Sequence, residues 1–330
     1  MRQQLEEILA GKRLGVEEAR LLMHSALGDE ASAAQLAGLL AALRLRGVTA
    51  DELDGFSQAL MELATPVDLA GHEVMDLCGT GGDGRGSFNI STAAAFVVAG
   101  AGHKVAKHGN AAVSSACGSS NVLEALGVRL SSDVDTLRRS LEAANVCFLH
   151  APLFHPALKK AAPVRKELGV RTVFNILGPL VNPARPSLQV SGVYGREVLR
   201  LYSVVLSRRP GDFAALVSAD GHDEVTLAAA ALVATRSGLR ELRPQDFGLE
   251  PVEQSDLRGA DTVADAAKIL RSILAGEGTR AQQDVVAANA GLAIHCREQG
   301  SSLLDGVAKA RESIRSGRAM ASLKACVEIG

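Results

Sequence analysis

The first part of the chain carries a helical pattern of apolar positions. Leu36, Leu40 and Leu43 recur at the spacing that places side chains on one face of a helix. Thr49 and Glu52 have the spacing of a capping box, which starts a helix. Three glycines suit the ends of helices in this region: Gly11, Gly28 and Gly47. The pattern predicts four short helices in a compact α-helical unit over residues 1–66.

Beyond this unit the pattern changes to short apolar runs separated by helical stretches. The apolar runs predict five buried strands, at 74–78, 104–106, 146–149, 188–194 and 213–218. Helical periodicity between the strands predicts helices near 91–101, 120–127, 133–144, 156–168 and 196–208. Because strands that alternate with helices pair in parallel through right-handed crossovers, this region should form a mainly parallel sheet.

Two further stretches complete the expected fold. Residues 231–235 and 239–242 flank Ser237-Gly238 and predict an antiparallel hairpin. Residues 262–329 return to helical periodicity, with glycines as breaks. We therefore expect an α/β protein, with a small all-α N-terminal domain, a large α/β domain with a mainly parallel sheet, and a C-terminal helical cluster.

Composition and charge exclude several classes of protein. The 330 residues are 47% hydrophobic and 22% charged, which excludes intrinsic disorder. No uninterrupted apolar run is long enough to span a membrane, and the acidic, amphipathic N-terminus is unlike a signal peptide, so we expect a cytoplasmic protein with no membrane partner. A net charge of −2 provides no overall positive field for nucleic acid. The five cysteines are widely spaced and suit reduced thiols.

Glycine is concentrated in one part of the chain. Ten of the 33 glycines lie between residues 79 and 127, and the densest run, at 76–84, leaves a predicted strand and precedes a predicted helix. Glycines let backbone N–H groups close on a ligand, and a helix N-terminus adds donors, so this loop suits phosphate or diphosphate. A flexible strand-to-helix turn would also explain the glycines, and the run matches neither a Walker loop nor a good GxGxxG motif.

A lysine and a second polar loop follow the next predicted strand. Lys107 leads into His108, Gly109 and Asn110, and the run at 114–120 is rich in Ser and Gly. A lysine at the carboxyl end of a strand faces the crevice where open α/β sheets bind ligands, and there it would neutralise phosphate. On its own, a solvated loop lysine explains Lys107 equally well.

Two charged clusters indicate further ligands. Asp223 and Glu224 follow another predicted strand, and adjacent carboxylates repel unless a cation such as Mg²⁺ lies between them. A solvated acidic turn is the alternative for this pair. Arg165, on a helix that leads to Gly178-Pro179, can bind a carboxylate through two hydrogen bonds. A salt bridge with Glu167 or another acidic side chain explains that arginine equally well.

Taken together, these motifs closely resemble those of the anthranilate phosphoribosyltransferases, the tryptophan-pathway members of the fold shared with pyrimidine nucleoside phosphorylases. The resemblance runs in order over about residues 1–320. It rests on the segments 76–83, 89–92, 107–110, 114–119, 123–127, 163–180 and 223–224.

The resemblance implies an architecture and a reaction. It implies a homodimer, a small helical domain over 1–66 to which a segment at about 165–182 returns, and a large domain over 67–330, with the active site between them. The implied reaction transfers the phosphoribosyl group of phosphoribosyl diphosphate to the amine of anthranilate and releases diphosphate. It implies dependence on Mg²⁺, with two ions per subunit.

The resemblance also implies roles for individual residues. Catalysis is expected from Lys107, Asp223 and Glu224. Ser91 is expected to help hold one Mg²⁺, and the acidic pair the other. The residues expected to hold phosphoribosyl diphosphate are Gly79, Thr80, Gly81, Gly82, Asp83, Asn89, Ser91, Thr92, Lys107 and Ser119. The residues expected to line the anthranilate site are Gly79, His108, Asn110, His155, Arg165, Gly178 and Pro179.

Two other functions fit parts of the pattern. A pyrimidine nucleoside phosphorylase would use orthophosphate and a nucleoside, whereas Arg165 and the acidic pair favour a carboxylated acceptor and a metal-bound diphosphate. A non-catalytic, nucleic-acid-binding paralogue is disfavoured by the near-neutral charge. Three residues depart from the commoner family pattern and lie outside the residues assigned to binding: Ala111, Asn121 and Pro152.

Overall fold

The chain begins with four helices, as the sequence predicts. The computed structural model describes residues 1–111 and 117–329. The N-terminal helices are α1 Arg2–Leu9, α2 Val16–Leu27, α3 Ala33–Arg46 and α4 Ala50–Glu62. Side chains cap two of their starts: Ser32 Oγ accepts the N–H of Gln35 at 3.2 Å, and Thr49 Oγ1 accepts the N–H of Glu52 at 3.1 Å. The predicted capping box at Thr49 is confirmed.

A seven-stranded sheet forms the centre of the remaining chain. Its strands are β1 Met75–Leu77, β2 Val105–Gly109, β3 Val146–His150, β4 Leu188–Gly192, β5 Asp212–Ser218, β6 Ala231–Thr235 and β7 Gly238–Leu242. They lie in the order β3-β2-β1-β4-β5-β6-β7, and the first five of these are parallel while β6 and β7 run antiparallel to their neighbours. The predicted mainly parallel sheet and its terminal hairpin are therefore confirmed.

Helices connect the strands and complete the chain. Those between strands are α5 Ile90–Gly100, α6 Ser119–Ala125, α7 Val134–Ala144, α8 Ala151–Phe154, α9 Leu158–Leu168, α10 Phe174–Leu177 and α11 Arg196–Ser207. Short 3₁₀ helices occupy Gly178–Val181, Pro244–Phe247 and Gln254–Leu257. The predicted C-terminal cluster consists of α12 Val263–Leu274, α13 Arg280–Arg297, α14 Leu303–Arg315 and α15 Arg318–Ile329. Within the described ranges, none of the helices is long and apolar enough to cross a membrane.

The two faces of the sheet belong to different hydrophobic cores. Ala214 and Leu216 of β5 pack in a core with α5 and the C-terminal helices, whereas Ala215 and Val217 pack in a second core with α11 and the N-terminal helices. The second core also contains buried residues from α9, α10 and the 3₁₀ helix after them: Ala161, Val164, Phe174, Ile176, Leu177, Leu180 and Val181. The segment over 158–181 therefore packs with α1–α4.

One strand is longer than the sequence predicts. The apolar run ends at Ala106, but β2 continues to Gly109, and Lys107 pairs in register with Phe148 of β3. The expectation that Lys107 and His108 follow the strand is therefore wrong. Their side chains are polar, yet both are buried and bonded by groups from distant segments, which a local pattern does not reveal.

The strand order creates a crevice at the carboxyl edge of the sheet. The parallel strands run from β1 through β2 to β3 on one side, and then from β4 to β5 on the other side of β1. Open α/β sheets bind ligands outside the carboxyl ends of the strands where the order reverses. The glycine loop leaves β1 at this point, and the loop after β5 brings the Asp223–Glu224 pair to it.

Candidate active site

The glycine loop after β1 folds directly against Asp223. The N–H of Gly81 donates to Asp223 Oδ2 at 2.7 Å, and the N–H of Thr80 donates to Gly192 O at 2.8 Å. A Cβ atom at Gly79 would lie 2.5 Å from Asp223 Oδ2, and one at Gly192 would overlap the carbonyl oxygen of Asp223. Because no side chain fits at Gly79 or Gly192 without displacing Asp223, glycine is what allows the loop and the acidic residue to meet.

Two buried polar atoms of this loop lack a partner among the described residues. They are Thr80 Oγ1 and Asp83 Oδ2. The Asp83 carboxyl also faces the carboxyl of Asp223. Buried polar atoms are nearly always hydrogen-bonded, so unpaired ones at the edge of a crevice indicate the place of a ligand.

Lys107 is buried at the centre of the site, with only 3% of its surface exposed. Its ammonium group donates to Leu77 O and, at 3.2 Å, to Ser91 Oγ. The N–H of Ser91 in turn donates to Glu224 Oε1 at 3.2 Å. The alternative of a solvated loop lysine is therefore wrong. An ammonium has three N–H donors, so one remains for a ligand at this point.

Burial raises the pKa of both carboxyls in the acidic pair. For Asp223 the facing Asp83 adds to the effect of burial, and for Glu224 the charge of Asp223 adds to it while Lys107 opposes it. Asp223 is 7% exposed, so the alternative of a solvated acidic turn is wrong. A cation bound here would compensate the charge that burial leaves unsolvated.

The donor set fits a hard divalent cation that shares its ligands with a substrate. In the described parts of the chain, no three His, Cys, Asp or Glu side chains form a group that could hold a metal ion by themselves. Mg²⁺ is usually bound by one or two carboxylates together with substrate phosphates, and the unpaired Asp83 Oδ2 adds a free oxygen at the site. The residues present therefore suit Mg²⁺ in company with a phosphate ligand.

Three more residues of the predicted phosphate site lie around this centre. At the start of α5, Asn89 Nδ2 donates to Cys117 O at 3.1 Å, and Thr92 is buried. Ser119 Oγ donates to Asn110 O at 3.2 Å, which joins the start of α6 to the end of β2. The remainder of the predicted second loop, at 112–116, lies outside the described residues.

Two buried histidines form a second part of the site. His108 Nδ1 donates to Gly178 O at 3.1 Å, His155 Nε2 donates to Val181 O at 2.9 Å, and the two ring centroids are 5.3 Å apart. Burial lowers the pKa of His108 to about 3, helped by His155, and burial also lowers the pKa of His155. Both rings are therefore neutral, and the nitrogen left over on His108, Nε2, is a buried acceptor that bonds to none of the described residues.

Asp76 and Asn182 hold the histidine part of the site against the sheet. Asp76 accepts the N–H of His108 at 3.1 Å and the amide of Asn182 at 2.9 Å, and Asn182 also donates to Ala106 O at 2.8 Å. Burial raises the pKa of Asp76 to about 6, although Lys107 opposes the shift. Sequence reasoning gave neither residue a role, because their partners come from segments far apart in the chain.

Arg165 is available for an anionic ligand. It lies half-buried on α9, with its guanidinium group 5.4 Å from the centre of the Phe174 ring. It forms an ion pair with none of the described acidic side chains, so the alternative of a salt bridge with Glu167 or another acidic side chain is wrong. A guanidinium group in this state can bind a carboxylate through two parallel hydrogen bonds. Of the nearby predicted residues, Gly178 and Pro179 each have their carbonyl oxygen occupied, by His108 and by Gln189 respectively.

Arg171 also belongs to the site, and sequence reasoning missed it. Its guanidinium group donates to Gly82 O in the glycine loop and lies 4.7 Å from the centre of the Tyr194 ring. Arg171 follows α9, so it connects the segment that packs with the N-terminal helices to the loop after β1. The local sequence carries no signal of this, because the partner is a backbone carbonyl 89 residues away.

Comparison with known families and proteins covers nearly the whole chain. Residues 2–64 match the model of the glycosyl transferase family helical bundle domain, and residues 71–320 match that of the glycosyl transferase family a/b domain. An anthranilate phosphoribosyltransferase of Cytophaga hutchinsonii is 47% identical over 99% of this chain and 100% of its own length. One of Bacteroides thetaiotaomicron is 44% identical over 100% of this chain and 99% of its own length.

Solved structures agree with these relatives. The crystal structure of anthranilate phosphoribosyltransferase from Thermus thermophilus matches with a TM-score of 0.93 and 39% identity, over 98% of each chain. The Saccharomyces cerevisiae enzyme in complex with PRPP (phosphoribosyl diphosphate) and Mg matches with a TM-score of 0.90 and 28% identity, over 98% of this chain and 96% of that one. The chain therefore belongs to the glycosyl transferase family that these two domain models describe, among relatives named anthranilate phosphoribosyltransferase.

Proposed function

We propose that this chain is an anthranilate phosphoribosyltransferase of tryptophan biosynthesis, a glycosyltransferase that moves the phosphoribosyl group of phosphoribosyl diphosphate to the amine of anthranilate and releases diphosphate. The observation that carries the proposal is the convergence of the glycine loop, Lys107 and the Asp223–Glu224 pair at one sheet edge. The names of full-length relatives support it. The nucleoside phosphorylase and the nucleic-acid-binding paralogue gain no support from the comparisons.

Phosphoribosyl diphosphate would bind over the glycine loop. The third ammonium proton of Lys107 would be one donor for phosphate oxygens, and the backbone N–H groups of the loop and of the first turn of α5, other than those of Thr80, Gly81 and Ser91, would be the others. The residues that we assign to this substrate are Gly79, Thr80, Gly81, Gly82, Asp83, Asn89, Ser91, Thr92, Lys107 and Ser119. The unpaired Thr80 hydroxyl supports this placement, because it leaves a buried polar atom free for the substrate.

Anthranilate would bind on the helical side of the crevice. Arg165 would take its carboxylate, while the free acceptor His108 Nε2 would accept a hydrogen bond from its amine and the ring of His155 would line the site beside it. Neutral imidazoles suit this role, because a protonated ring donates and could not receive an amine N–H. The other residues that we assign to this substrate are Gly79, Asn110, Gly178 and Pro179.

Catalysis would depend on position and charge rather than on a strong base. As the bond between C1 of ribose and diphosphate breaks, negative charge grows on the diphosphate and positive charge on the ribose. Lys107 and the loop N–H groups would stabilise the leaving charge, and His108 would hold the amine so that its lone pair can face C1. When bound, Mg²⁺ supplies further neutralisation of the diphosphate oxygens.

We propose two Mg²⁺ ions per subunit. Ser91 would help to hold one of them, and Asp223 with Glu224 would hold the other. The raised pKa values of both carboxyls and the free Asp83 Oδ2 support a cation at this position.

We further propose two domains and a homodimer. The small domain comprises residues 1–66 with the segment at about 165–182, and the large domain comprises 67–330. Exposed leucines on the packed pair α1 and α3 support a dimer through the helical domain: Leu9 is 66% exposed and Leu45 is 91% exposed. Leu45→Glu should shift sedimentation from dimer to monomer, and a monomeric wild-type protein would contradict the dimer. Cytoplasmic location stays a prediction from the sequence.

The decisive experiment is an assay by omission. Phosphoribosyl-anthranilate fluorescence should appear only when anthranilate, phosphoribosyl diphosphate and Mg²⁺ are all present, and its formation should match diphosphate release. Phosphorolysis of thymidine or uridine should not occur. Fluorescent product without phosphoribosyl diphosphate, or phosphorolysis at a comparable rate, would overturn the proposal.

Variants test the assignment of the site. Lys107→Met and the double variant Asp223→Asn/Glu224→Gln should each lose at least about a hundredfold in kcat/KM, because they remove charge that acts on the leaving group. Lys324→Met is the matched control, since this lysine is exposed on α15. Wild-type turnover by either site variant would show that catalysis lies elsewhere.

A further inference from the structure

A buried asparagine in the C-terminal helical cluster binds the backbone next to the acidic pair. Asn289 lies in the middle of α13 among Val, Ala and Gly residues and is 5% exposed. Its Oδ1 accepts the N–H of Val225 at 3.0 Å, and its Nδ2 donates to Val225 O and to Val285 O, both at 2.8 Å. A buried carboxamide is costly unless its polar atoms are bonded, and here three bonds satisfy it.

The partner of Asn289 directly follows Glu224 in sequence. Both backbone groups of Val225 are taken by this one side chain, so its peptide units are fixed relative to α13. On the other side of the acidic pair, Gly79 and Gly192 lie in direct contact with Asp223. The acidic pair is thus held between the glycine loop and the asparagine.

The loop after the acidic pair has a backbone that needs such support. Leu227 is fully buried and has a φ of +60°, in the left-handed region that residues other than glycine rarely adopt. A strained residue of this kind persists only when its surroundings determine its conformation. Asn289 fixes the chain two residues before it, and Leu227 O accepts the N–H of Val252 at 3.3 Å after it.

We propose that Asn289 is a positioning residue, which holds the Asp223–Glu224 backbone in the conformation that binds a divalent cation together with phosphoribosyl diphosphate. The inference rests on the proposed role of the acidic pair. It assigns the placement of the two carboxylates to a residue of the C-terminal helical cluster, which lines the same small cavity as Ser91 and Glu224. A merely structural asparagine would affect folding stability without affecting affinity for the cation.

The test compares two variants of Asn289 in the full-length protein. Asn289→Ala removes all three hydrogen bonds, and Asn289→Asp keeps the size of the side chain but cannot donate to Val225 O. Mn²⁺ binding in the presence of phosphoribosyl diphosphate, measured by electron paramagnetic resonance, should weaken at least about tenfold in both. The Mg²⁺ concentration for half-maximal activity should rise by a similar factor, while KM for anthranilate stays unchanged.

Ser313→Ala is the matched control. Ser313 is fully buried on α14 in the same helical cluster, and its hydroxyl donates to Val97 O at 2.7 Å, away from the acidic loop. It should lower the melting temperature and leave the affinity for Mn²⁺ unchanged. An equal loss of Mn²⁺ affinity in Ser313→Ala would mean that general destabilisation explains the effect, and the inference would fail.

The acidic variants separate this inference from the proposed function. If Asp223→Asn/Glu224→Gln loses Mn²⁺ binding while the folded Asn289→Asp protein binds as tightly as wild type, then Asn289 has no positioning role and the proposed function stands. If the acidic double variant also binds Mn²⁺ as tightly as wild type, then the proposed cation site itself is wrong, and the inference falls with it.

Discussion

Adding one methyl group at Gly192 tests how closely the site depends on the position of Asp223. A Cβ atom there would overlap the carbonyl oxygen of Asp223 and lie 3.2 Å from its Cα. Gly192 cannot yield, because it pairs with Leu216 of β5 and its own carbonyl binds Thr80. The loop that carries Asp223 must therefore move by about 2 Å to restore ordinary contact distances.

A movement of that size would break the contacts that place the acidic pair. The bond between Gly81 N–H and Asp223 Oδ2 is 2.7 Å long, and the bond between Ser91 N–H and Glu224 Oε1 is 3.2 Å long, so neither survives the shift. Misplacing a catalytic group by about 1 Å can cost about a hundredfold in rate. Gly192→Ala should therefore lose at least about a hundredfold in kcat/KM, with an overpacking cost of about 1–3 kcal/mol in stability.

The assay is fluorescent product formation at saturating Mg²⁺, with far-UV circular dichroism to establish that the variant folds. Gly195→Ala is the control, because a Cβ atom there meets nothing within 4 Å and the φ of −176° is extended backbone. It should retain nearly wild-type kcat/KM. A folded Gly192→Ala protein with wild-type kcat/KM would refute the argument that the close approach of β4 fixes the acidic pair.

Three further predictions concern other parts of the site. Arg165→Gln should raise KM for anthranilate about tenfold to a hundredfold and leave KM for phosphoribosyl diphosphate unchanged. The reason is that a hydrogen bond to a charged group contributes about 1.5–3 kcal/mol. Equal changes in both KM values would contradict this prediction. Arg171→Gln should raise KM for phosphoribosyl diphosphate and leave KM for anthranilate unchanged, because Arg171 binds the carbonyl of Gly82 in the glycine loop. Tyr194→Leu should show part of this rise in KM because it removes the ring that Arg171 contacts, whereas Tyr194→Phe keeps the ring and should not. Burial lowers the pKa of His108 to about 3 from 6.5, so the unfolded chain binds an extra proton between these values and stability falls as the pH falls through that window, by about 1.4 kcal/mol per pH unit. Denaturant titrations between these pH values should show that the free energy of unfolding depends less steeply on pH in His108→Gln than in the wild type. An unchanged slope would refute the attribution of this pH dependence to His108.

Much of the fold can be predicted because its elements carry strong local signals. The N-terminal helices have regular apolar spacing, and glycines follow several of their ends. Thr49 and Glu52 predict the start of α4, and the structure contains both reciprocal hydrogen bonds of that capping box. The order β3-β2-β1-β4-β5 has no such signal, because pairing between distant strands is decided by packing. The extension of β2 to Gly109 was missed for the same reason, since β3 and not the local sequence specifies it.

The site divides in the same way between local and distant signals. Glycines and adjacent carboxylates are visible as runs, and the structure brings Gly79 and Gly81 against Asp223. Arg171 and Asn289 are single residues whose partners are backbone atoms of remote segments. Neither belongs to a sequence motif, so the local sequence does not indicate their roles. Asn289 does leave one trace, because a carboxamide amid small apolar residues of a buried helix must find partners for its polar atoms.

In the proposed assignment of the site, the alternation of side chains along β2 allows one strand to contact both substrates. Successive residues of a strand point to opposite faces of the sheet. Lys107 therefore turns toward Ser91 at the start of α5, whereas His108 turns toward Gly178 in the segment that packs with the N-terminal helices. The cation that we propose for the phosphate side and the neutral acceptor that we propose for the amine side are thus adjacent in sequence but separated by the backbone of the strand. The positive charge of Lys107 also lowers the pKa of His108, which helps to keep this ring a neutral acceptor. The arrangement requires that polar residues continue β2 beyond its apolar run.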